Sequence, residues 1–374
     1  MTLKQTITHS LLNIPGWHTK RHIVVFESDD WGAIRMPSRD TFDYLKSRGI
    51  SIGDRYGYDI NDTLASNDDL ELLMDTLSSF KDKNGNPAKI TLNTCVANPD
   101  FVKIRENGFR AYYYEPFTET LKRYPHHDRA FDLWKEGIVH KVFQPQFHGR
   151  EHLNAQMWMQ LLQANVEPVR EAFDKDVFCM DVDLPNEPRK HVLHAYNVIH
   201  KEEYECACKS IQEGLDLFEQ LFGFRALSMI APCYTWDDEI ENAALKNGVI
   251  ILQGGHAQIP SAYAKSQGMK IRRHYTGEKN KNEQVYLVRT CSFEPTQSSL
   301  YNADNCMKEI ALDFRMGKPA IVSCHRLNFI GDLNPTNRDN NLREFNKLLK
   351  MIITKYPDVE FMSSDELGKL ILNK

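Results

Sequence analysis

The chain has 374 residues, with 46 Lys+Arg against 51 Asp+Glu, a formal net charge of −5, 41% hydrophobic and 26% charged residues. This is ordinary globular usage, and it excludes a disordered chain, a collagen-like chain and a coiled coil. No dense basic run marks a nucleic-acid binder, and no apolar run approaches the roughly 18–20 residues of a membrane span.

Short apolar, β-rich runs recur along the chain. They fall at residues 22–27 (HIVVFE), 89–96 (KITLNTCV), 142–147 (VFQPQF), 177–180, 226–231 (ALSMIA), 249–253 (VIILQ), 285–290 (VYLVRT), 320–324 (AIVSC) and 359–362. Amphipathic patterns separate them and predict helices over 38–48, 67–81, 128–137, 154–173, 201–222, 237–246, 303–316, 338–356 and 364–372. Ser38, Asn67 and Ser364 read as N-caps, and Gly49, Gly137, Gly223, Gly248 and Gly317 as stops. Nearly all-apolar strands alternating with helices predict a parallel sheet buried on both faces. Seven or eight such units predict one distorted (β/α) barrel domain over residues 1–374, with about seven parallel strands and helices outside. Stretches near 51–61, 98–125, 184–200 and 254–282 read as insertions on one rim.

Eight cysteines, at 95, 179, 206, 208, 233, 291, 306 and 324, form no C-x-x-C pair and read as free, mostly buried thiols. With no secretory pattern near Met1, a cytoplasmic location is expected.

Three clusters carry chemistry. Phe26-Glu-Ser-Asp29-Asp30-Trp-Gly32 runs an apolar strand into adjacent carboxylates, at the end where parallel α/β sheets place function. Two neighbouring carboxylates repel unless a cation or a shared proton relieves them. Phe147-His148-Gly-Arg-Glu-His152 follows another strand. If that segment is helical, its two histidines share one face with Cβ atoms about 5–6 Å apart, a chelating spacing. The order differs from H-E-x-x-H, so the zincin pattern is absent. Finally, Ala320-Ile-Val-Ser-Cys-His325 ends a strand in an acid–base side chain.

These clusters, in this order, resemble the polysaccharide deacetylases of the NodB-homology group of carbohydrate esterases. Asp29-Asp30 matches the first motif, with one extra residue before Gly32; His148 and His152 match the second, with Gly149 in place of Ser or Thr. Ile230-Ala-Pro-Cys233 matches the third, and Ile321-Val-Ser-Cys-His325 the fifth. The resemblance runs over about residues 20–370 and departs at Ile230, where the family has an arginine that orients the catalytic aspartate. Arg150, Arg289 or Arg326 are the candidates to replace it, and Glu294 is the candidate carboxylate behind His325.

The resemblance implies a hydrolase whose Asp30, His148 and His152 hold one divalent metal, most simply Zn²⁺, with Co²⁺, Ni²⁺, Mn²⁺ and Fe²⁺ also compatible. It implies Asp29 as general base, His325 as general acid and an oxyanion donor near Cys233, with Tyr234, Trp31 and Trp236 placed to stack on a sugar. The implied substrate is an N- or O-acetylated sugar or polysaccharide precursor. Hydrolysis of another C–N bond, such as a cyclic amide or imide, and non-catalytic glycan binding are the alternatives.

Overall fold

The computed structural model describes residues 3–50, 57–181, 187 and 189–373. Its main sheet has nine strands, all paired in parallel: β1 (Ile23–Trp31), β2 (Ile90–Thr94), β3 (Phe143–Phe147), β4 (Ser228–Ile230), β5 (Ile251–Gly254), β6 (Val285–Val288), β7 (Cys291–Ser292), β8 (Ala320–His325) and β9 (Glu360–Met362). The order is β6-β5-β4-β3-β2-β1-β8-β7. β9 pairs with the first residues of β1, and β2 with the remainder. The two ends of this order, β6 and β7, are consecutive in the chain. Between them Arg289 N–H donates to Gly254 O of β5 and Thr290 N–H to Ile321 O of β8, both at 2.9 Å. One extended stretch thus bonds to both ends of the sheet, which curls into a distorted barrel wrapped by helices.

Strand side chains alternate between two faces, and β1 shows what this does here. Val24 and Phe26 point outward into the large core shared with the helices, and Ile23 and Val25 point inward. The interior is therefore layered. Ile23, Val25, Ile251, Val285, Leu287 and Ile321 fill its lower end, closed by Leu367 of the last helix. Above them lies a polar layer in which Gln253 donates to Ser228 Oγ at 2.7 Å, Ser228 Oγ donates to Gln146 at 2.9 Å, and Ser364 Oγ donates to Glu27 at 2.8 Å. The same period brings Asp29, Asn93, Arg289 and His325 to the top.

Several expected elements differ. Residues 177–180 are buried but form no strand. The predicted helix over 154–173 is two, Ala155–Gln163 and Glu167–Phe173, broken where Asn165 adopts φ +54 ahead of Pro168. Two caps lie one residue earlier than expected, at Ser66 and Ser363, each closing a capping box. Gly137 lies inside its helix, where Phe143 would stand 2.1 Å from an added Cβ.

Two of the stretches read as insertions carry small elements of their own. Within 98–125, Ala97–Pro99 pairs antiparallel with Tyr114–Pro116; within 254–282, Ala257–Gln258 pairs with Arg272–Arg273. Parts of the 51–61 and 184–200 insertions lie outside the described residues. Among the described residues all eight cysteines are free, and no helix is long and apolar enough to cross a membrane.

Candidate metal and acid–base site

In a regular strand Asp30 would face away from Asp29. Here the β1–β2 register shifts between Ser28 and Trp31, and Asp30 takes φ +72, so both carboxylates turn to the rim. Aspartate tolerates this left-handed region better than most residues.

Asp29 is held by the end of the ring-closing stretch. Arg289 donates Nη1 to its Oδ2 at 2.7 Å and Nη2 to its Oδ1 at 2.6 Å, while Nε donates to Glu27 at 2.7 Å. Asn93 Nδ2 adds a bond to Asp29 Oδ1 at 2.8 Å. Burial pushes the Asp29 carboxyl up, but the bidentate guanidinium outweighs it and holds the group at about 2. Of the three arginines considered, Arg289 is thus the one that pairs with Asp29. Of the other candidates, Arg326 binds Asp62 at 2.8 Å, and Arg150 binds Glu151 at 2.7 Å and Glu213, away from Asp29.

Asp30, His148 and His152 are buried, and one ligand atom from each lies within 4.8 Å of the others. The segment from His148 to His152 is a loop and not a helix; Gly149, at φ +110, reverses it so that the two rings meet with centroids 5.0 Å apart. A Cβ at Gly149 would stand 2.9 Å from Glu151 O, so the Ser or Thr of the resembled motif does not fit here without movement. His148 Nδ1 lies 3.0 Å from Ile230 O, and a carbonyl only accepts, so a neutral His148 carries its proton on Nδ1. Its Nε2 lone pair then faces Asp30 Oδ1 at 3.3 Å. His152 Nε2 lies 3.4 Å from the same oxygen, and burial pushes its imidazolium down to about 3. Burial alone would raise Asp30, but His152 and His148 in their protonated forms, with Arg35, hold it well below the usual carboxylate range; with both rings neutral, that help from the imidazoles is gone. Lone pairs converging on a carboxylate repel unless a cation lies between them, so this donor set fits a divalent metal.

His325 stands at the end of β8, with Nε2 3.8 Å from Asp29 Oδ2. Its Nδ1 lies 2.5 Å from Glu294 Oε1, and Asn328 donates to Glu294 Oε2 at 2.7 Å. Burial opposes the imidazolium, but Glu294 overcomes it and lifts His325 to about 9. Tyr58 packs edge-on against His325 with centroids 5.5 Å apart, and the Arg35 guanidinium lies 4.7 Å from the Tyr58 ring centre. Neither Arg35 nor Tyr58 was signalled by a motif. Arg289 was readable, since it follows Val285 and Leu287 at period two and so puts a charge inside the barrel.

Cys233 and Tyr234 follow Pro232, both at φ +54. Arg289 Nη1 donates to Tyr234 Oη at 3.2 Å, which places this tyrosine against Asp29. Burial, with Asp30 nearby, pushes the Cys233 thiol up to about 12. Two sequence expectations are corrected. Trp31 is 1% exposed, packs edge-on against Trp134 and donates Nε1–H to Ser28. Trp236 is 3% exposed and donates to Glu241 at 3.0 Å. Both are sealed in the core, so neither presents a face to a sugar.

No family model matches the chain, and no curated protein matches it. Solved structures do. A protein from Parabacteroides distasonis, described as a candidate glycoside hydrolase/deacetylase, aligns over 94% of this chain and 72% of its own, with a TM-score of 0.50 and 10% identity. A candidate polysaccharide deacetylase from Mycobacterium smegmatis aligns over 96% of this chain and 93% of its own, at 0.42 and 9%. A 4-alpha-glucanotransferase from Thermococcus litoralis is matched over 95% of this chain, which spans 40% of that enzyme's length, at 0.44 and 12%. The fold is that of the deacetylase-type (β/α) barrels.

Proposed function

We propose that the protein is a metal-dependent hydrolase that removes an acetyl group from an N- or O-acetylated sugar or polysaccharide precursor. One observation carries this reading: the Asp30–His148–His152 donor set sits beside two oppositely tuned acid–base groups, Asp29 at about 2 and His325 at about 9. Environments that push neighbouring titratable groups apart in this way assign base and acid.

When bound, a divalent metal supplies water acidification and polarisation of the acyl oxygen. Asp30, His148 and His152 would hold it, leaving positions open for other ligands. Asp29, held as a carboxylate by Arg289, would take one proton from the attacking water on Oδ2, the oxygen 3.8 Å from His325 Nε2, as the water oxygen bonds to the acyl carbon. Arg289 keeps that carboxylate aimed, so it need not reorganise during the reaction. His325, charged because of Glu294, donates from Nε2 to the leaving amine or alcohol. The backbone at Cys233 would face the developing oxyanion, with Tyr234 closing that side.

The test is acetate release from a panel of acetylated sugars by metal-loaded protein. Wild type should release acetate from at least one; Asp29→Asn should fall at least about 10³-fold. No release from any panel member by protein shown to hold metal would overturn the reading.

A further inference from the structure

A cavity of about 490 Å³ lies on the same rim, on the far side of the loop that carries the two histidines. That volume suits a small ligand. Its floor is Arg150 and Glu151, 9% and 3% exposed, the residues between His148 and His152. The Arg150 guanidinium lies 4.2 Å from the Tyr114 ring centre, and Tyr112 Oη donates to Glu151 at 2.9 Å. Three cations (Arg110, Arg150, Lys209) and three carboxylates (Glu151, Glu203, Glu213) line the cavity, so it carries no net charge. Gln156 and Gln160, four residues apart on the helix Ala155–Gln163, line one wall, and their amides have no side-chain partner among the described residues. Apolar groups, Ala111, Ala155 and Ala207 among them, share the remaining surface with Asn154, Gln163 and Ser210.

We propose that this cavity is a saccharide-binding subsite that takes a neutral pyranose unit of the substrate at a distance from the acetyl being removed. Electroneutrality disfavours phosphates and acidic sugars. Tyrosine rings with free amides are the groups that recognise a ring of hydroxyls on an apolar face. A unit seated against Arg150 and Glu151 also braces the loop that presents His148 and His152. The proposal rests on the acetylated-sugar reading for its ligand class.

Cys206 gives a direct probe, since it lines the cavity and is the exposed thiol among the eight. Its alkylation by N-ethylmaleimide, followed by peptide mass mapping, would be timed with neutral chito-, cello-, xylo- and manno-oligosaccharides of about two to six units. A sugar at ten times its Kd leaves about one cavity in eleven free and slows alkylation about tenfold. Protection by at least one sugar, retained in Asp29→Asn and in metal-stripped protein but lost in Ser210→Trp, which fills the cavity, is the expected result. If Ser210→Trp does not fold, the exposed Gln160→Ala should weaken protection about three- to tenfold. Absence of protection by every sugar, or protection unchanged in these variants, would overturn the subsite. Protection without acetate release would instead overturn the hydrolytic reading and leave the subsite standing.

Discussion

Replacing Arg289 by Met removes the cation shared by two buried carboxylates, Glu27 at 0% exposure and Asp29 at 4%. The wild-type Asp29 carboxyl is held at about 2 against an ordinary 3.8, which is about 2 kcal/mol of stability. Because the folded value is the lower one, that contribution is complete above 3.8 and lost as the pH falls toward about 2. In Arg289→Met the sign reverses. Desolvation raises both carboxyls, the folded state takes up protons that the unfolded state does not hold, and the variant gains stability as the pH falls. Breaking a buried pair costs about 3–5 kcal/mol. Urea unfolding should show that gap at about pH 7.5, narrowing by at least about 1 kcal/mol at about pH 5.5. A gap below about 1 kcal/mol, or one that does not change with pH, would refute the assignment of Arg289 as the charge partner of Asp29.

Glu294→Gln removes the carboxylate that keeps His325 charged. The alkaline limb of the activity profile, expected at or below about 9 in the wild type because a bound cation opposes the imidazolium, should move toward more acid pH in this variant; an unmoved limb would exclude His325 as the acid. Gly149→Ala strains a backbone at φ +110. It should cost about 1–3 kcal/mol of stability and weaken metal binding without removing a ligand, read by calorimetry; unchanged affinity would show that the loop is not the constraint. Trp31→Ala should lower stability by about 3–5 kcal/mol in thermal unfolding while leaving oligosaccharide protection of Cys206 intact. Loss of protection in folded Trp31→Ala would contradict its core role.

Much of the site was legible because period two and strand ends are. Asp29, Asp30, His148 and His325 each close an apolar strand, and the structure brings them to one rim. The helical reading of His148–His152 failed because Gly149 uses a backbone angle that spacing alone does not reveal. Trp31 and Trp236 looked like rim aromatics from their neighbours in sequence, yet the β1 bulge turns Trp31 outward into the core shared with the helices and Glu241 anchors Trp236. Glu294 was readable as an acid just past a strand. Arg35 and Tyr58 were not, since they reach the site from a segment whose path depends on tertiary packing. The segments after β2 and β3 differ in composition from their surroundings, but only their folded arrangement makes a cavity.

The central claim is that Asp30, His148 and His152 hold a divalent metal, and elemental analysis of purified protein tests it most directly. Wild type, as isolated or after reconstitution with Zn²⁺, Co²⁺ or Ni²⁺, should hold about one equivalent, and folded His148→Ala/His152→Ala essentially none. Wild type that takes up no metal under any of these conditions, or a double variant that retains a full equivalent, would contradict it.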